Sequence, residues 1–281
     1  MKLKRDKHFP VIIAAFALMA SASALSPFIH AHAGAWLQAE SHSVKEETKP
    51  TGIAGKTIVI DPGHGGSDSG ARGVNGLQEK EITLAVSRRL TAYLQQAGAH
   101  VVMTRTSDVD LATDEDRTRR RRHIGDLQGR LQVVRKQHVD AFVSIHCNAA
   151  PSPNWHGAQV LYFRNNVEGK TLATILQETY GRELLTTNRA IQSNRTLYLL
   201  KRIEGPTVLA EIGFITNPTE AAAMRTPAYQ ERIAFATYQA LVRYFSDPSV
   251  LQANQMGNES DTEQDRSGQD EANDADVSDE T

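Results

Sequence analysis

Between residues 57 and 245, short β-branched apolar runs alternate with longer stretches whose apolar residues recur at helical spacing. This alternation constrains the fold most, because strands joined through helices run parallel and are covered on both faces. Thr57-Ile58-Val59-Ile60 reads as a first strand, ended by the turn formers Asp61-Pro62-Gly63. Over residues 80–97, Ile82, Val86, Leu90, Tyr93 and Leu94 share one helical face, and Gly98 sits where a C-terminal cap belongs. Residues 100–104 read as a second strand. A polar, Arg-rich stretch then leads to a helix bearing Leu127, Leu131 and Val134. Residues 141–145 and 159–163 read as further strands and 170–185 as a helix. Short apolar runs follow at 197–200 and 207–212, and a helix over 229–245 closes the pattern. The expected fold class is α/β: a single domain over 56–246 with a mostly parallel twisted sheet covered by helices on both faces. No internal repeat is evident, and no second binding module is expected from the pattern.

The two ends do not share this pattern. Lys2, Lys4, Arg5 and Lys7 precede an apolar run from Val11 to about Leu25, and Ala22-Ser23-Ala24 and Ala31-His32-Ala33 offer small-residue cleavage sites. Residues 1–33 therefore read as a signal peptide or signal anchor, with an apolar run short of the roughly 20 residues a membrane span needs. A membrane contact is expected only if this leader stays uncleaved. Residues 34–55 lack periodicity and read as a linker. Residues 247–281 read as an acidic disordered tail, since 249–281 holds ten acids, one base and almost no large apolar side chain.

Of the chain's 31 bases and 33 acids, 26 bases and 22 acids remain once 1–33 and 249–281 are set aside. A folded part near +4 suits an anionic wall polymer and is too weakly basic for nucleic acid. The single cysteine, Cys147, leaves an exported chain without an internal disulfide. Stability must then come from the core.

In open α/β sheets, ligands bind beyond the carboxyl ends of the strands. His64 lies just after the first strand in Asp61-Pro62-Gly63-His64-Gly65-Gly66, and Glu79 opens the first long helix. His146 ends the third strand in Ser144-Ile145-His146-Cys147-Asn148, and Glu211 ends the last in Ala210-Glu211-Ile212-Gly213-Phe214. Two imidazoles and two carboxylates at one sheet edge suggest a catalytic zinc centre, which uses three protein ligands and leaves a position for water. The residues alone leave open which three.

These stretches, together with Glu79-Lys80-Glu81-Ile82 and the continuation to Asn217, resemble the four signature blocks of the zinc-dependent N-acetylmuramoyl-L-alanine amidases. The likeness runs from about Lys56 to Phe245. Trp155-His156-Gly157-Ala158-Gln159 and Tyr198-Leu199-Leu200-Lys201 are similar to the germination-specific amidases of spore formers. The resemblance implies one Zn2+ ion held by His64, Glu79 and His146, with Glu211 as the catalytic carboxylate. It implies hydrolysis of the amide between the lactyl group of muramic acid and L-alanine in peptidoglycan. In the subgroup this serves muramic δ-lactam formation in spore cortex, together with a companion deacetylase. It implies export to the cell wall or forespore intermembrane space, and no nucleotide or redox cofactor.

Two other functions compete at this point. A zinc peptidase would use the same chemistry on stem peptides alone, and a silent wall-binding module would be expected to have lost one of the four groups. Cys147 reads as buried and inert, because neighbours in a strand face opposite ways. His100, His123, His138 and His156 read as structural or exposed, and His30 and His32 belong to the leader. Asp61 and Asn148 are candidates to support the metal ligands from behind. The run Arg117, Arg119, Arg120, Arg121 and Arg122 reads as a solvated face, with a cradle for substrate carboxylates as its functional alternative.

Overall fold

The strands are β1 (Thr57–Pro62), β2 (His100–Met103), β3 (Ala141–Asn148), β4 (Gln159–Phe163), β5 (Gln192–Asn194) and β6 (Thr207–Phe214) in a computed structural model that describes residues 52–185 and 187–247. They form one sheet in the order β2-β1-β3-β6-β4-β5. All neighbours are parallel except β4 and β6, which run antiparallel. The helices are α1 (Glu79–Gln96), α2 (Asp114–Thr118), α3 (Arg122–Arg135), α4 (Val167–Glu183), α5 (Tyr198–Arg202), α6 (Pro218–Met224) and α7 (Pro227–Ser246).

Alternation along the central strands sorts the core into two layers. Ile58, Ile60, Val143, Ile145, Val208, Ala210 and Ile212 pack against Val86 and Leu90 of α1, Leu172 and Leu176 of α4, and Ile233 and Leu241 of α7. Val59 and Phe142 point the other way, onto Leu131 and Val134 of α3 and Leu199 of α5. The sheet is thus covered on both faces. His146 and Glu211 belong to the α3–α5 side by the same alternation, at the carboxyl ends of β3 and β6.

The turn at 52–55 corrects the expected linker, because Ile53 is fully buried in the larger core cluster. One apolar residue in a polar stretch has no period to betray it. The apolar run 197–200 caps and opens α5, and β5 and α6 have no counterpart among the elements expected from the sequence pattern. The leader, the rest of the linker and the tail beyond Asp247 lie outside the described residues. Among the described residues, no helix is long and apolar enough to cross a membrane.

Candidate metal centre and active site

The loop after β1 is forced into shape from below. His64 has φ 61°, a left-handed conformation costly for a residue with a side chain. Two buried arginines hold it there. Arg105 donates from Nε to Pro62 O (2.9 Å) and from Nη2 to Gly63 O (2.9 Å). Arg130 donates to Pro62 O (2.7 Å) and to His64 O. The Arg130 charge is balanced by Asp61 (2.6 Å) and Asp126 (2.9 Å), all three being almost fully buried. Burial alone would raise the Asp61 pKa, but the Arg130 charge and hydrogen bonds from Thr104 and Ser144 hold it below the usual range.

Close approach then fixes two glycines. A Cβ on Gly63 would lie 2.4 Å from the His146 ring, and one on Gly70 would lie 2.6 Å from both Glu79 Oε2 and the His64 ring.

His64, Glu79 and His146 each offer a ligand atom within 4.8 Å of the others. His64 Nε2 lies 3.2 Å from Glu79 Oε2, and His146 Nδ1 lies 2.9 Å from Glu79 Oε1. The same oxygens accept the backbone N–H groups of Ala71 (2.8 Å) and Cys147 (2.9 Å), which orients the carboxylate. Glu79 also sits in the first turn of α1, where the helix dipole favours a negative charge. The other nitrogen of His64, Nδ1, is 3.1 Å from Asp68 Oδ2, so Nε2 is the nitrogen left to face a cation. Two imidazoles and a carboxylate gathered from three elements are a donor set suited to a divalent transition ion.

Charges at the centre are strongly coupled. Burial opposes charging His64, yet hydrogen bonding and charge from Glu79, with Asp68 behind, raise its pKa to about 9. Burial would lift the Glu79 pKa, but the two imidazoles hold it far below the carboxylate range.

Glu211 stands opposite His146 in the β3–β6 register. Burial pushes its pKa up to about 7, with the imidazoles pulling it down and the Glu79 charge pushing it up. Its Oε2 is buried and has no hydrogen-bond partner in the protein. A groove of about 290 Å3, lined by His64, His146, Leu127, Tyr198 and the exposed His123, opens on the α3–α5 side.

Cys147 is buried on the opposite face, its Sγ 3.9 Å from Met224 Sδ and its pKa raised well above normal by burial. Asp61 lies under the groove that holds His64 and His146, accepting from Arg130 (2.6 Å) and Ser144 (2.7 Å). Asn148 Oδ1 accepts from Ala149 N (2.8 Å). Arg117, Arg119 and Arg121 pair with Asp110, Asp114, Glu115 and Asp116. His123 was expected to be structural or exposed, and it is exposed on the wall of the groove.

Asp68, Arg105 and Arg130 went unnoticed in the sequence. Arg130 had left a signal: it shares the inward face of α3 with Leu127, Leu131 and Val134, where a charge demands a buried partner.

A profile of the family described as N-acetylmuramoyl-L-alanine amidase matches residues 58–243. The germination-specific N-acetylmuramoyl-L-alanine amidase of Bacillus subtilis (strain 168) is 40% identical over 195 residues, covering 69% of this chain and 82% of that one. The CwlD amidase from Clostridioides difficile, solved in complex with the GerS lipoprotein, superposes with a TM-score of 0.66 at 35% identity, over 68% of this chain and 98% of that one. The amidase AmiC2 of Nostoc punctiforme superposes with a TM-score of 0.59 at 31% identity, over 68% and 98%.

Proposed function

Because this chain belongs to the N-acetylmuramoyl-L-alanine amidase family, we propose that it cuts the lactyl–alanine amide of peptidoglycan with one zinc ion held by His64, Glu79 and His146. Membership makes it an amidase acting on peptidoglycan, in preference to a stem-peptide peptidase or a silent wall-binding module. The observation that carries the metal reading is the convergence of three ligand atoms within 4.8 Å beside a buried, unpartnered glutamate oxygen.

When bound, zinc supplies Lewis acidity, polarising a carbonyl and making water a better nucleophile near neutral pH. The protein's own part is proton transfer. Glu211, whose carboxyl burial pushes above the ordinary carboxylate range, would accept a proton from attacking water and return it to the departing nitrogen. The carbonyl carbon gains the water oxygen and loses the nitrogen of L-alanine, which leaves as a neutral amine only after that second transfer. Asp68 holds the His64 ring, Arg130 its carbonyl and Arg105 the carbonyl of Gly63 before it, so the ligand is preorganised.

The relative named as germination-specific supports a role in germination; forming muramic δ-lactam in spore cortex with a companion deacetylase is the finer role that the family resemblance implies. The C. difficile CwlD amidase is solved with a lipoprotein and not a deacetylase, so direct contact with a lipoprotein is the partner reading to test first. A cleaved or anchoring leader over residues 1–33 would deliver the chain outside the cytoplasm, where its substrate lies.

The test is mass spectrometry of muropeptides after digestion, with and without a chelator. New peptides beginning with L-alanine should appear only without it. Glu211→Ala should keep zinc and lose about a thousandfold or more in turnover, whereas His146→Ala should lose the metal as well. Full activity with bound metal in both variants would remove this mechanism.

A further inference from the structure

In intact substrate the muramic carboxyl is locked in the scissile amide and the sugars are neutral. Every anion therefore lies on the stem peptide, beyond L-alanine. A side chain that reads the peptide should be a cation near the reacting bond, rigidly held and free of an acid partner.

The arginine run at 117–122 does not meet these conditions. Arg117, Arg119 and Arg121 each pair with a carboxylate, Arg122 lies between Asp68 and Asp110, and the exposed Arg120 has no side-chain contact among the described residues to hold it rigid. Arg189 is held in place, has no acid partner, and touches Gln159, the register neighbour of Glu211. Its guanidinium carbon lies 5.0 Å from the centroid of the exposed Trp155 ring and 4.6 Å from that of Phe214. Nε donates to His156 O (2.8 Å), and Nη1 leans on Gln159 Oε1 (3.4 Å). Gln159 is the β4 partner of Glu211 in the antiparallel register, so both face the same side of the sheet. Phe214 follows Glu211 by three residues on β6.

Two aromatic faces fix the plane of a guanidinium without neutralising it. Among the described residues, Arg189 forms no ion pair. Glu220, the buried acid of this corner, uses its oxygens on the N–H groups of Gly157 (3.0 Å) and Phe214 (2.7 Å). The guanidinium borders a shallow depression of about 270 Å3, shared with Asn154, Trp155, His156 and Asn188.

We propose that Arg189 is the anchor for a stem-peptide carboxylate, so that the peptide leaves the catalytic centre over β4. This rests on the amidase reading above. The test uses the full zinc-loaded chain with Glu211→Ala and an N-acetylmuramoyl peptide whose residue after L-alanine has a free or an amidated carboxyl. The free carboxylate should bind about tenfold more tightly, as expected of a charge-assisted fork, and Arg189→Gln should erase that ratio. Arg189→Lys should restore part of it.

Equal binding of both ligands by the parent overturns the anchor without any variant. A preference that survives Arg189→Gln overturns it too. Turnover of both ligands by the unmodified chain reads the amidase assignment separately. Hydrolysis of neither, with an Arg189-dependent binding preference retained, would sink the assignment and leave the anchor. Hydrolysis of both without a preference would sink the anchor alone.

Discussion

At His64 two demands meet on one imidazole. Asp68 takes Nδ1, and Glu79 draws Nε2 toward the other ligand atoms. Because those acids raise the His64 pKa to about 9, a cation entering near pH 7.5 must displace a proton from that ring. Calorimetric titration of the metal-free chain with zinc, in buffers of different ionisation enthalpy, should show close to one proton released per ion. Apparent affinity should fall as the pH drops below about 9. Proton-independent binding would contradict the coupling. The linked stability has the opposite sign to that of a carboxylate. In the metal-free chain, the raised His64 pKa stabilises fully below 6.5, and that contribution is lost as pH rises through about 9. His64, His146 and Glu211 were legible because each sits at or just after the end of a β-branched run, and Glu79 because it opens the first long helix. Arg189 was not. Only the fold brings residue 189 between rings at 155 and 214, and no local pattern encodes that sandwich.

The elements are tied beneath the site by charge as well as by apolar packing. Asp61 on β1 and Arg130 on α3 are 1% and 2% exposed, and Asp126 completes the network while accepting Leu111 N (2.8 Å). Removing one partner of such a buried pair strands the other, at a cost of about 3–5 kcal/mol. Asp61→Asn should therefore lower unfolding stability at pH 7 by several kcal/mol in urea titrations; a loss below about 1 kcal/mol would show the pair to be dispensable. Asp61 is held below its ordinary pKa, so its stabilisation is present above about 4 and lost as acid takes the pH through the lower folded value. The variant should lack that part of the acid transition. Long amphipathic helices such as α1 and α7 announced themselves by period, because a core face repeated over four or more turns is hard to mistake. α5 has five residues and β5 three, too short for any period to show. α6 did leave a signal in Asn217-Pro218: the Asn217 side chain accepts from Thr219 N and Glu220 N (both 3.0 Å), and Pro218 opens the helix. The antiparallel β4 was legible as a strand but not in direction, since alternation does not record which way a strand runs.

For the whole domain, the proposed metal centre acts as a cross-link between layers. Glu79 belongs to α1, which packs one face of the sheet, whereas His146 points toward the side covered by α3 and α5. His64 hangs from the loop after β1 and is held from below by Arg130. An ion gripping all three stabilises only the state in which both layers are assembled, because the unfolded chain does not gather these ligands. With no disulfide available to a chain with one cysteine, such a tie has no covalent substitute. Free zinc at about a thousand times its dissociation constant adds roughly 4 kcal/mol to unfolding. For a domain of this size that corresponds to a Tm higher by about 8–16 °C. Calorimetry of the zinc-loaded and chelated full chain should show that shift, and His146→Ala should abolish most of it while Glu211→Ala leaves it intact. Equal shifts in the parent and His146→Ala would place the stabilising ion somewhere other than between these layers. Loss of the shift in Glu211→Ala would make that glutamate a ligand, and would remove the division between residues that hold the ion and the one that moves the proton.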